Sequence, residues 1–177
     1  MIKPALFVLA ATLLVLFQVS FLHEFEPLRY SLNFILICVV LVTTLINYKT
    51  GFIFAFSAGL VLDFFSSFEY GVITFALVVP VLLIFILFRK LLARKSAYSL
   101  LGVIVVSTLA YHAILFTTTK IITLVDENGL SFSLNWQYVS FVGTQIVVHS
   151  LVTIGFFYFI RLLGNKFRSV FLISDRV

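Results

Sequence analysis

Six apolar runs follow one another along this chain, separated by segments that carry charged residues. They cover residues 4–22, 32–48, 51–65, 70–88, 97–119 and 136–160. Roughly 20 apolar residues cross a bilayer as a helix, so each run predicts one membrane span, the third a short one. Lys3 precedes the first run, and His23, Glu24 and Glu26 follow it. A signal peptide would carry a small-residue cleavage site after Phe21-Leu22-His23, and none stands there. The run therefore reads as a span, with Pro4 suited to the first helical position. A tight turn is expected at Lys49-Thr50-Gly51, between the second and third runs. Pro80, inside the fourth run, removes one backbone hydrogen bond and should kink its helix, as membrane helices tolerate.

Composition names the solvent. Of the 177 residues, 62% are hydrophobic and 11% charged, and the mean hydropathy is +1.20. A water-soluble domain is about 45–50% apolar and about 25% charged. In water the excess would form aggregating patches. The expected fold class is thus all-α: a polytopic membrane bundle of six transmembrane helices, forming a single integral membrane domain over residues 1–177. Six crossings use about 120 residues, which leaves no room within this chain for a large soluble domain.

The formal charge of +5 is explained by where the charges sit. Lys and Arg near span ends stay cytoplasmic. With six spans and the N-terminus inside, Lys3, Lys49, Arg89, Lys90, Arg94, Lys95, Arg161, Lys166, Arg168 and Arg176 are all cytoplasmic. Only Arg29 and Lys120 lie outside, together with Glu24, Glu26, Glu69, Asp126 and Glu127. An odd number of spans would break this segregation, so both termini are placed in the cytoplasm. The basic balance then reports orientation and contact with anionic membrane lipid, with no nucleic acid as partner. Cys38, the only cysteine, excludes an internal disulfide and reads as a buried, inert thiol.

The longest outer segment runs from Lys120 to Asn135. Asn128-Gly129 is a turn signal, and Leu130-Ser131-Phe132-Ser133-Leu134 alternates as a half-buried strand does. Either a small hairpin or an irregular loop fits this stretch. Trp136 then enters the sixth span, where an interfacial aromatic is expected.

The third run carries the densest pattern. Gly51, Ala55, Gly59 and Asp63 are spaced four apart and form one stripe along a helix. Small residues let a neighbouring membrane helix approach closely, so the stripe is expected to pack a helix or bind a partner. Asp63 ends it. A carboxylate in a span costs roughly 2.5–3.5 kcal/mol on insertion scales, which makes it a functional candidate. Either it pairs inside the bundle or it reaches water near Ser66 and Ser67. His112 and His149 fall at a similar depth, with Gln145 one turn from His149, so Asp63, His112, His149 and Gln145 form a possible intramembrane polar cluster. Each histidine alternatively sits as a neutral imidazole bonded to a carbonyl or hydroxyl. No metal site is expected from one Asp and two His. Zinc, nucleophile-elbow and phosphate-loop motifs are missing from the sequence, so it reads as no enzyme and needs no cofactor.

The stretch Gly51 to Asp63, with Gly59-Leu60-x-x-Asp63 at its end and Gly71 opening the next span, resembles the MreD family of rod shape-determining proteins. The match in motif covers residues 51–71. The remainder agrees in layout: a small basic membrane protein with five or six spans. Phe64-Phe65-Ser66-Ser67 departs from the shorter, glycine-richer link common in that family. The resemblance implies a non-enzymatic component of the cell-elongation machinery in the bacterial inner membrane. It would bind the scaffold MreC, alongside the MreB filament and the glycosyltransferase–transpeptidase pair that makes side-wall peptidoglycan. The family's fold is similar to that of substrate-binding subunits of energy-coupling-factor vitamin transporters. The alternative reading is therefore such a subunit, holding a small solute in an outward pocket.

Overall fold

The computed structural model describes residues 2–21, 32–88, 97–125 and 135–163. Within them the chain is all-α, with six helices: α1 (Ile2–Phe21), α2 (Phe34–Leu45), α3 (Tyr48–Phe65), α4 (Val72–Phe88), α5 (Ala97–Val125) and α6 (Trp136–Leu163). Three of them, α3, α5 and α6, are long and apolar enough to cross a membrane. The apolar stretches of the other three are shorter, Ala5–Ser20, Phe34–Leu45 and Val72–Ile86. His23, Arg29 and the expected hairpin over residues 128–134 lie outside the described residues.

α3 is the hub of one half of the bundle, packing against α1, α2 and α4, while α5 packs against α4, α6 and α2. α2 is the most enclosed element. Ile35, Leu36, Val39 and Val40 are wholly buried, and these residues join both apolar clusters of the core. At 12 residues, α2 is about 18 Å long at 1.5 Å per residue, well short of the about 30 Å of a bilayer core.

The predicted second span was longer than this helix. Residues 46 and 47 form the turn, and Lys49, Thr50 and Gly51 belong to the first turn of α3, which corrects the turn expected at those three residues. The reason is packing. The Gly51 N–H bonds the Asn47 carbonyl at 2.9 Å, and a Cβ on Gly51 would fall 2.8 Å from the Thr43 Cα. The glycine is needed inside the helix, where α3 crosses α2, rather than in a turn.

α5 also continues past residue 119, so the first part of the expected outer segment is helical. Thr117 and Thr118 return their hydroxyls to the carbonyls of Ala113 and Ile114 at 2.7 and 2.6 Å, and Thr119 does the same to Leu115. Such back-bonding satisfies threonine within a helix. Gly71, at φ +93°, occupies the left-handed region that glycine enters without penalty, and it turns the chain from α3 into α4. Pro80 lies inside α4 and is buried.

Candidate functional site

Asp63 is 3% exposed, yet its carboxylate is fully engaged. Oδ1 accepts from the Ile73 N–H at 3.0 Å. Oδ2 accepts from the Thr74 N–H at 3.2 Å and from the Thr74 hydroxyl at 2.5 Å. Ile73 and Thr74 are in the first turn of α4, whose leading N–H groups have no partner within their own helix. The carboxylate supplies one and sits where the helix dipole favours negative charge. Asp63 is itself near the end of α3, an unfavourable place for an anion, and α4 offsets this.

Gly59, one turn earlier on α3, serves the same joint. A Cβ there would fall 2.5 Å from the Thr74 Cα, so only glycine lets α4 come close enough for Asp63 to reach its N–H groups. The stripe Gly51, Ala55, Gly59 and Asp63 is buried throughout. It packs α3 against α2 at Thr43 and against α4 at Thr74. Leu60 points away from this joint and is exposed, and Gly71 belongs to the turn. The stripe is thus occupied by the chain's own helices, leaving none of its small residues open to a partner.

A second joint holds the N-terminus of α2. The Asn33 N–H donates to His149 Nε2 of α6 at 3.0 Å, and the Ile35 N–H donates to Gln18 Oε1 of α1 at 3.0 Å. Asn33 Oδ1 caps the helix by accepting from the Leu36 N–H at 3.0 Å, the role in which Asn is favoured. These bonds fix the His149 tautomer. Nε2 must be the acceptor, so Nδ1 carries the proton and donates to the Thr108 hydroxyl at 3.0 Å, which in turn donates to the Ile104 carbonyl at 2.8 Å. The Tyr111 side chain interacts with that of Asn33.

One turn along, His112 Nε2 bonds Gln145 Oε1, and His112 Nδ1 lies 3.0 Å from the Tyr138 hydroxyl. With Gln145 accepting, Nε2 carries the proton and the Tyr138 hydroxyl donates to Nδ1. Thr108 and His112 are four apart on α5, as are Gln145 and His149 on α6. Antiparallel packing therefore stacks Thr108–His149 and His112–Gln145 as two rungs of one polar ladder. Thr153 takes the next position on α6, 1% exposed and with its hydroxyl unpartnered.

The four-residue polar cluster expected from depth alone is therefore divided. His112 and Gln145 meet, and His149 lies beside them on the ladder. Asp63 stands apart, bonded to α4, and among the described residues it bonds neither histidine. Thr74, Asn33, Gln18, Thr108 and Tyr138 complete these joints without having been singled out as site residues. Asn33 alone carried a readable signal, an N-capping residue just before an apolar run. Among the described residues no three His, Cys, Asp or Glu side chains gather to hold a metal.

Beside His112 a groove of about 410 Å³ opens on the α5–α6 face. Leu109, Ala113 and Phe116 wall it from α5, and Val139, Gly143 and Ile146 from α6. Its polar residues, His112 and Tyr138, already bond each other. Compared with known protein families, curated proteins and solved structures, the chain matches none of them.

Proposed function

We propose that this chain is a non-enzymatic membrane component of a bacterial cell-elongation complex, similar to MreD, with six spans and both termini in the cytoplasm. In that reading it resides in the inner membrane and binds an MreC-like scaffold. It helps couple the MreB filament to the glycosyltransferase–transpeptidase pair that builds the side wall. The segregation of charges supports the topology, and Gly59-Leu60-x-x-Asp63 with Gly71 supports the family. In this reading the second span covers residues 32–48, which contain the short α2.

One observation favours an interaction protein over a solute-binding subunit. A ligand pocket needs a few convergent polar groups free to orient its ligand. In the groove beside His112 the polar side chains are paired to each other, and the walls are apolar. α6 is also the least enclosed of the three long helices, leaving an apolar face for lipid or for another helix.

The test is affinity purification of the tagged chain from membranes that also contain the MreC-like scaffold, alongside thermal-shift screening against water-soluble vitamins. Scaffold recovered in fixed proportion, with no vitamin raising the melting temperature, is the expected result. Stabilisation by a vitamin without scaffold recovery would establish the transporter-subunit reading instead.

A further inference from the structure

Near the start of α3 and the end of α4 the surface is cut by a second groove, of about 370 Å³. Tyr48 and Phe52 of α3 form one wall, Leu82 and Phe85 of α4 the other, and Val81 the floor. The rings of Tyr48 and Phe85 meet at 4.5 Å between centroids. Among the described residues one charged side chain lines the groove, Lys49 in the first turn of α3.

We infer that this groove binds an anionic phospholipid of the inner leaflet, its acyl chain lying between α3 and α4 and its phosphate on Lys49. The inference rests on the membrane topology proposed above, which puts Lys49 at the cytoplasmic end of α3. The site has the two-part chemistry of such a lipid, an apolar slot with one cation at one end. Lys49 is exposed, and a lysine can lay its methylene stem along apolar surface while its ammonium stays at headgroup level. Among the described residues no acid lines the groove, so the Lys49 charge there is complementary to phosphate. Tyr48 belongs at the same level, since tyrosine favours the membrane–water interface.

The walls argue against a partner helix as occupant. Close helix association in membranes uses small residues, and those of α3 are already taken, Gly51 by α2 at Thr43 and Gly59 by α4 at Thr74. What α3 offers to the groove is aromatic: Phe52, whose ring also stacks on Phe56 at 6.3 Å. A flexible acyl chain can follow such a surface where a helix backbone is held off.

The test is native mass spectrometry of the detergent-purified full chain, titrated with palmitoyl-oleoyl phosphatidylglycerol or with phosphatidylcholine of the same chains. Glycerol phosphate serves as a headgroup without a tail. One phosphatidylglycerol per chain, bound at least fivefold more tightly than phosphatidylcholine, is expected, with no retained glycerol phosphate. Lys49→Gln should remove that preference and Leu82→Trp should weaken both lipids, while Lys120→Gln, a substitution on a different helix, should change neither. Lys49 and Leu82 are exposed, and an unchanged helical circular-dichroism spectrum and elution volume would confirm that each variant is folded. Equal binding of the two lipids by the unaltered chain, or a preference that survives Lys49→Gln, would overturn the inference. Scaffold purification reads neither outcome, so this site and the proposed function fail separately.

Discussion

Asp63 and Thr74 lock α3 to α4: the carboxylate takes both the backbone N–H, at 3.2 Å, and the hydroxyl, at 2.5 Å, of a residue eleven positions away. Gly59 clears the space that makes this possible. The Gly59-Leu60-x-x-Asp63 motif is thus a two-part clasp, with a missing side chain for approach and a carboxylate for closure. An acid that costs energy in an apolar bundle is retained because the start of α4 brings donors needing an acceptor.

Asp63→Ala should destabilise the bundle strongly, because the Ile73 and Thr74 N–H groups would then be buried without partners. Each stranded donor costs about 1–3 kcal/mol. Asp63→Asn keeps one acceptor oxygen but turns an amide N–H₂ toward donors, so it should recover only part of the loss. Thermal unfolding in detergent, followed by circular dichroism, measures both. In a double-mutant cycle with Thr74→Val, the two changes should couple by about 0.5–3 kcal/mol, as groups in one network do. Strict additivity would show that the contact carries no stability.

His149 should matter for α2 rather than for chemistry. His149→Leu leaves the Asn33 N–H without an acceptor and the Thr108 hydroxyl without its donor, at about 1–3 kcal/mol for the stranded backbone group. The loss should be local at first, as faster amide hydrogen exchange at residues 33–37 with α6 still protected. Uniform exchange along every helix would instead make His149 a general packing residue.

These joints show what could be read in advance and what could not. The six elements were legible because apolar runs and charged breaks alternate so strongly, and the boundaries of α4 and the start of α6 fell close to prediction. The burial of the glycine stripe was legible too, since spacing by four is a property of one helix. The partners of Asp63 were not, because it bonds chiefly to backbone N–H groups. Every residue carries such groups, and only the approach of α4 selects Ile73 and Thr74. Similar depth made Asp63, His112 and His149 look like neighbours, but depth gives no rotation about the helix axis. The end of the second run was hidden as well: Ile46 and Tyr48 flank Asn47, so the apolar run reads on past the turn.

On the α5–α6 ladder, Gln145→Leu should cost more than Tyr138→Phe. The first strands the His112 Nε2–H in a buried position. The second removes a donor from a half-buried site and leaves Nδ1 an unfilled acceptor, a loss of about 0.5–1.5 kcal/mol. Chemical or thermal unfolding of the two variants side by side ranks them. A larger effect from Tyr138→Phe would mean that the groove-facing bond, rather than the inner rung, holds α6 to α5.

Glycine-to-alanine substitutions should divide by sign. At Gly51 the new Cβ would fall 2.8 Å from the Thr43 Cα, and at Gly59 2.5 Å from the Thr74 Cα. The backbone atoms there cannot swing aside, so helix pairs must separate, and overpacking of this kind costs about 1–3 kcal/mol. Gly59→Leu would lose any scaffold binding together with the bundle's melting temperature, and so would not locate an interface. At Gly102, Gly143 and Gly155, all within helices, an added Cβ meets nothing within 4 Å. Alanine there gains helix propensity, worth about 0.5–1 kcal/mol relative to glycine, so these variants should melt at the same temperature or higher. Gly143 lines the groove beside His112, so Gly143→Ala also separates stability from binding. Reduced scaffold recovery with an unchanged melting temperature would put the partner on the α5–α6 face, and full recovery would move it elsewhere.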